Sequence, residues 1–182
     1  TNLFEDILVS EQVFWGAEGQ AYFGDVTVGG QLAKQDFVNQ RDFSGQSIVD
    51  DGWVANIEGK YFINDNWRVD LGFNYNKTKF NDDFLGSGSS ESLNQKTYSI
   101  GTEYRLENKP FSFYAQFNRN EIKLAGFDFE DNQYIAGIKI NFGSVTLKGR
   151  DRIGASLDPI AQQPAGAMIL GNTFDNFNGF VN

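Results

Sequence analysis

The sequence contains no cysteine and no histidine, and only 3 of its 182 residues are proline. Without cysteine the chain has neither disulfides nor thiol chemistry, although this absence fits both reducing and oxidising compartments. Without histidine it lacks the usual general base of nucleophilic hydrolysis and the commonest metal ligand. The composition therefore predicts a protein that is not an enzyme and that has no catalytic, cofactor-binding or metal-binding residues.

Long apolar runs are also missing. No stretch approaches the roughly 20 apolar residues of a membrane helix, and the first dozen residues lack the basic-then-apolar plan of a signal peptide, so we expect a chain that is either mature or not secreted. The mean hydropathy is -0.42. Such a value usually indicates a soluble protein, but membrane β-barrels alternate lipid-facing and lumen-facing residues and have similar averages. Hydropathy therefore does not decide between the two.

The clearest pattern present is an alternation of apolar and polar residues, strongest over residues 53–80. Asn64-Asp65-Asn66 interrupts the alternation with a turn. Because successive strand residues point to opposite sides of a sheet, this segment is predicted to be an antiparallel hairpin with one apolar and one polar face. Similar pairs of runs turn at Gly24-Asp25, at residues 107–110 and at Gly143-Ser144, and nothing between them has helical period. The prediction is an all-β antiparallel meander in one domain.

Two architectures fit such strands: a soluble ligand-binding barrel with an apolar interior, and an outer-membrane barrel whose apolar face meets lipid. The aromatic residues favour the second, because Tyr and Trp prefer the zone where a ring meets both lipid and water. Ten aromatic residues lie near strand ends on the apolar face and are predicted to form a lipid-facing girdle: Trp53, Tyr61, Trp67, Tyr75, Tyr98, Tyr104, Phe111, Phe117, Tyr134 and Phe142.

The polar face carries balanced charges among small residues. Four acids and four bases alternate on it: Glu18, Glu58, Lys60, Arg68, Asp70, Glu103, Arg105 and Lys139. Balanced charges suit a narrow lumen in which side chains must fit and pair, so these eight residues are predicted to form a lumen charge network. The alternative is a solvated face that is neutral by chance.

The connections between the runs alternate in length. The turns named above are tight, whereas residues 37–52, 81–95 and 124–131 read as long polar loops that hold most of the net charge of -9. Short turns on one side and long loops on the other are typical of outer-membrane barrels. An acidic rim of this kind repels nucleic acid. Its paired acids, such as Asp82-Asp83, match no calcium-loop spacing, so solvated loops are expected.

These patterns resemble a known group. The segment 61–67 with its Asn-Asp turn, followed by 71–75, is similar to the repeated strand, turn, aromatic and strand of small Gram-negative outer-membrane β-barrel proteins, the porin-like and OmpA-like group. Residues 133–142 resemble the C-terminal strand signal of that group. The resemblance covers roughly residues 14–149. It implies a location in the bacterial outer membrane and contact with outer-membrane lipid and lipopolysaccharide.

Seven runs are strong, and a single-chain antiparallel barrel needs an even number of strands. The eighth strand is either 145–149 or 3–10; ten or more strands, or a piece of a larger barrel, are alternatives. We predict a transmembrane up-and-down barrel of eight strands over residues 1–149. A Gly-, Ala- and Asn-rich tail follows over 150–182. This tail either drapes loosely or docks on a partner or in the lumen.

Three functions remain open. An eight-stranded barrel is barely wide enough for its own side chains. A non-enzymatic structural or partner-scaffolding barrel, with the tail or the acidic loops available to a protein partner, is therefore favoured. A small porin or channel is the second hypothesis. A soluble barrel that binds a hydrophobic ligand is the third.

Overall fold

The computed structural model describes residues 11–38, 49–80, 92–124, 127–140 and 146–153. These residues form one antiparallel sheet in which each strand pairs with the next along the chain. The strands are β1 (Glu11–Phe23), β2 (Val26–Val38), β3 (Val49–Asn64), β4 (Trp67–Phe80), β5 (Ser92–Arg105), β6 (Phe111–Leu124) and β7 (Phe127–Ile140), and one helix follows, α1 (Leu147–Ile153). The predicted all-β, up-and-down architecture is confirmed. Within the described ranges β1 and β7 are the two edges of the sheet.

Three tight turns lie at the same end of the sheet, which we call the short-turn end. Gly24 opens the first turn with a φ of 59°, a conformation that glycine adopts without steric cost. In the second turn the Oδ1 of Asn64 accepts a hydrogen bond of 2.9 Å from the backbone N–H of Asn66. Asn108 in the third turn has a φ of 56°. Gly and Asn are the residues that tolerate this left-handed region, which is why they occupy these positions of the first and third turns.

The predicted long loop over 124–131 is wrong. β6 continues to Leu124 and β7 begins at Phe127. The acidic residues of this stretch lie on β7 and pair with cations of β6: Arg119 with Glu130 at 2.8 Å and Lys123 with Asp128 at 3.0 Å. The stretch resembles a loop in sequence because three acidic residues follow one another closely, although Phe127 and Phe129 alternate with Asp128 and Glu130 as in a strand. The other two predicted loops, 37–52 and 81–95, are shorter than expected, because β2 reaches Val38, β3 begins at Val49 and β5 begins at Ser92.

The proposal that residues 145–149 form an eighth strand is also wrong, because α1 begins at Leu147. Thr146 caps this helix, since its Oγ1 accepts a hydrogen bond of 2.9 Å from the N–H of Gly149. Leu147 is fully buried, which fixes the helix to the rest of the protein. The helix spans the predicted domain boundary between 149 and 150. The alternative eighth strand over 3–10 lies outside the described residues.

The two faces of the sheet have opposite surroundings. On the face we call outer, large apolar side chains are exposed, for example Leu71 at 59%, Ile138 at 64% and Tyr134 at 80%. On the opposite, inner face most of the buried side chains are polar: Thr27, Gln31, Gln35, Lys60, Asn74, Asn76, Thr78, Glu103, Arg105, Ser112 and Asn118. A soluble sheet protein shows the reverse arrangement, because burial of apolar area stabilises its fold.

The inner face is concave. Lys139 of β7 reaches Glu103 of β5 at 3.3 Å, so the sheet bends enough for side chains two strands apart to meet. The helix α1 lies in this concavity at the short-turn end, where it contacts Thr27 of β2 and Glu103 of β5. At the other end Phe80 and Leu93 form a small buried cluster with Ile122 and Leu124. Between these two ends the inner face is mostly polar, with Ala33 and Val54 as buried apolar exceptions.

Candidate functional site: the inner charge clusters and the outer aromatic lines

All eight predicted lumen charges lie on the inner face, and six of them join two clusters. The first cluster surrounds Glu103 and includes Arg68, Asp70 and Lys139. The second surrounds Lys60 and includes Glu58. The remaining two residues have other contacts: Glu18 accepts a hydrogen bond from Gln31 at 3.3 Å, and the Nε of Arg105 donates to the carbonyl oxygen of Lys109 at 3.1 Å.

Glu103 is the centre of the larger cluster. Its side chain is only 1% exposed, and its oxygens lie 3.1 Å from Arg68, 3.3 Å from Lys139 and 3.4 Å from Arg150. The hydroxyl of Ser112 donates a further hydrogen bond of 2.5 Å. A buried carboxylate is stable only when nearby charges and hydrogen bonds replace its lost hydration. Residues of β4, β5, β6, β7 and α1 are therefore held together by this one side chain.

Lys60 is the centre of the second cluster. Its ammonium group lies 2.9 Å from Glu58 and 3.1 Å from Asp151. The Asp151 carboxylate, itself 1% exposed, also accepts a hydrogen bond of 2.7 Å from the hydroxyl of Thr27. Asp151 thus gives β2 and β3 a common partner on the helix.

The part that α1 plays in this site was not predicted from the sequence. Besides Arg150 and Asp151, the helix supplies Lys148, which pairs with Asp25 of the first short turn at 2.6 Å and with Asp65 of the second at 3.8 Å. The guanidinium of Arg152 donates to the carbonyl oxygen of Gly24. Thr146 followed by a run of charges was a readable capping signal. The seven residues of α1 are too few to show helical periodicity.

The turn carboxylate beside this helix is electrostatically perturbed. The hydrogen bond and the positive charge of Lys148, helped by the charge of Arg152, hold the pKa of Asp25 below its ordinary value. Asp25 lies in the turn between β1 and β2, so the attraction between its charge and Lys148 favours the docking of α1 at the short-turn end.

The half of the inner face toward the long connections is built differently. Asn74, Asn76 and Thr78 of β4 are buried there. Thr97 donates to Asn120 at 2.8 Å, and Asn118 donates to Gln133 at 3.1 Å. Amides and hydroxyls both donate and accept, so each of these two pairs forms its hydrogen bond without charge. The buried Oδ1 atoms of Asn74 and Asn76 and the Oγ1 of Thr78 have no hydrogen-bond partner among the described residues.

The outer face carries the predicted aromatic residues in two lines. Nine of the ten lie on this face, and Phe142 lies outside the described residues. The upper line, toward the long connections, is Trp53, Tyr75, Tyr98, Phe117 and Tyr134; the lower line, near the short turns, is Tyr61, Trp67, Tyr104 and Phe111. Seven of the nine are at least 41% exposed, and Tyr75 and Phe117 are half-buried.

The upper line crosses the strands obliquely. The cross-strand partner of Trp53 is Lys77, and Tyr75 lies two residues closer to the short turns. The same offset separates Tyr98 from Lys96, the partner of Tyr75. Strands that tilt by about 40° in a barrel produce this drift if the aromatic residues stay at one height.

The two lines are separated by eight residue steps on β3, from Trp53 to Tyr61. This separation is about 27 Å along the strand and roughly 20 Å along the axis of such a barrel.

An antiparallel sheet with an apolar exposed face, two aromatic lines and a charged concave face defines a class: the membrane-spanning antiparallel β-barrels. The comparison with known families agrees, since the model of the outer membrane protein β-barrel domain matches residues 12–149. The chain belongs to this family of outer-membrane β-barrel proteins. No curated protein and no solved structure matched it.

No helix among the described residues is long and apolar enough to cross a membrane. Nor do three or more Asp and Glu side chains of the described ranges come together as a set that could hold a metal ion.

Proposed function

We propose that this protein is a closed, non-enzymatic structural barrel of the bacterial outer membrane, with its outer face in lipid and its lumen filled by paired charges and amides. The observation that carries the proposal is the position of α1, whose Arg150 and Asp151 bond to the two clusters across the short-turn end. The apolar cluster around Phe80 and Leu93 covers part of the inner face at the opposite end. A lumen occupied at both ends and between them leaves little room for solutes.

The exposed apolar face supports the membrane placement over a soluble ligand-binding barrel. In a soluble barrel, Leu71, Ile100 and Ile138 would be buried, but each is at least 50% exposed. Lipid and lipopolysaccharide are the partners that such a face implies. Residues 154–182 and the connections 39–48 and 81–91 are the segments we propose for a protein partner. We propose no nucleic-acid partner, because the chain has a net charge of -9.

Planar-bilayer recordings test the closed lumen with two matched truncations. Removal of 154–182 leaves α1 in place, whereas removal of 147–182 takes it away. We expect no stable conductance from the full chain or from the first truncation, and small, discrete conductance steps from the second. Large, stable conductance from the full chain would replace this proposal with the porin hypothesis. Conductance that already appears in the first truncation would identify residues 154–182, rather than α1, as the plug.

A further inference from the structure

A line of cations follows the upper aromatic line on the outer face. Lys77 and Lys96 lie two residues beyond Tyr75 and Tyr98 in the direction of the long connections, and Arg119 lies two residues beyond Phe117. The chain as a whole has a net charge of -9, so a row of positive side chains at this level is not explained by the overall composition. Aromatic rings mark the interface between apolar and polar regions of a bilayer, and the level just beyond them is that of the lipid headgroups.

Two of these cations have no ion pair with any other described residue. Lys77 and Lys96 are partly exposed and lie on neighbouring strands. The cross-strand partner of Lys96 on β4 is Tyr75, so Lys77 is its diagonal neighbour, about 7–8 Å away between backbones. The partner of Lys96 on β6 is Glu121, whose carboxylate pairs with Arg119 at 3.4 Å rather than with Lys96. One phosphate group can bridge two ammonium groups at this separation. Arg119 differs, because Glu121 and Glu130 already neutralise it at 3.4 and 2.8 Å.

An apolar groove opens on the outer face below this pair. Its volume is about 520 Å³, and its lining includes Ile100, Thr102, Ala115, Phe117, Tyr134 and Ala136. Ala115 and Ala136 are direct cross-strand partners, and their small side chains leave the space between the larger neighbours. The groove begins at Ile100, four residues from Lys96 on the same face of β5, which is about 13 Å along the strand.

We propose that Lys77, Lys96 and this groove form a binding site for a phosphorylated anionic lipid. The phosphate lies between the two ammonium groups, and an acyl chain occupies the groove between Ile100 and Ala136. Charge complementarity selects this occupant: the cations meet the headgroup, and the groove they overlook is apolar. The inference rests on the membrane placement proposed above, and it adds a preference for one class of lipid at one side of the barrel.

Brominated lipids quench tryptophan within short range, so the native tryptophans report on their local lipid. Trp53 is the cross-strand partner of Lys77, whereas Trp67 lies in the lower line, away from the proposed site. A W15F/W67F variant retains Trp53 alone, and a W15F/W53F variant retains Trp67 alone. Each variant is reconstituted in mixtures of phosphatidylcholine and phosphatidylglycerol in which one of the two lipids is brominated.

We expect phosphatidylglycerol to be enriched over phosphatidylcholine near Trp53 by about fivefold for each of the two cations. Near Trp67 we expect no such preference for the anionic lipid. K77Q/K96Q should abolish the preference at Trp53. K123Q, which removes a cation paired with Asp128 on the same face, should leave it unchanged. Salt at 0.5 M should weaken the preference, because it screens exposed charges.

The outcomes separate the site from the membrane placement. Equal quenching of Trp53 by both lipids, or a preference that survives in K77Q/K96Q, would refute the lipid site and leave the barrel in the membrane. If neither brominated lipid quenched Trp53 and neither quenched Trp67, the outer face would not be in lipid, and both proposals would be overturned. A preference lost equally in K123Q would mean a diffuse charge effect and would also refute the site.

Discussion

The two halves of the inner face solve the same problem in different ways. Toward the short turns, full charges are buried and are matched by opposite charges that come partly from α1. Toward the long connections, amides and hydroxyls such as Thr97 and Asn120 bond to one another. A buried charge needs a partner of opposite charge. A buried amide can form hydrogen bonds with many kinds of neighbour, because it both donates and accepts. Among the described residues, the charged half therefore depends on a segment outside the sheet, and the amide half does not.

The largest expected effect comes from the removal of the central carboxylate. Glu103→Ala leaves Arg68, Lys139 and Arg150 without their common partner, and should lower the free energy of unfolding by about 3–5 kcal/mol. The matched change in the other half, Asn118→Ala, breaks only amide hydrogen bonds and should cost about 1–2 kcal/mol. Urea unfolding in lipid vesicles gives both values. Equal costs would mean that the two halves do not differ.

The next test concerns coupling within each half. A double-mutant cycle on Arg68 and Glu103, which lie 3.1 Å apart, should give an interaction energy of about 1–3 kcal/mol. The corresponding cycle on Thr97 and Asn120 in the amide half should give about 1 kcal/mol or less. Strict additivity for Arg68 and Glu103 would mean that the pair is exposed to water and that the charge network does not exist.

A smaller effect is expected at the helix. Asp151→Asn keeps the shape of the side chain but removes the charge that faces Lys60 at 3.1 Å. The sheet keeps Glu58 as a partner for Lys60, so α1 should loosen while the barrel stays folded. A spin label at position 153, which is 85% exposed in Ile153, should become more mobile in this variant. The same label with Asn118→Ala is the control, and it should not change.

The sequence predicted which side chains share a face, but not which of them meet. Alternation alone placed Glu103 and Lys139 together on the inner face, because the period of a strand is two. Their contact needs the curvature of the sheet, since β6 lies between their strands, and no local pattern reports curvature. The family resemblance is confirmed over residues 12–149.

The errors have the same origin. The seven-residue helix is held by the burial of Leu147 and the bonds of Asp151 rather than by its own propensity, so its sequence resembled a weak strand. The stretch 124–131 resembled a loop because its acids lie on an exposed strand end, where they pair with Arg119 and Lys123. In both places the structure depends on contacts with residues of other elements, which a local sequence pattern does not show.

The smallest expected effect is the pH response of the outermost contact of α1. Lys148 holds the pKa of Asp25 below its ordinary value, so the ionised carboxylate favours the docked helix. This contribution is fully present above the ordinary pKa of a free aspartate and is lost as the pH falls through the lowered pKa of Asp25. The label at position 153 should therefore become more mobile in acid, and only slightly, because Asp25 is exposed and the pair is screened by solvent. In Asp25→Asn the label should already be looser at neutral pH and should respond less to acid. A label that loosens as the pH rises, or an acid response that Asp25→Asn leaves intact, would mean that Asp25 does not hold the helix.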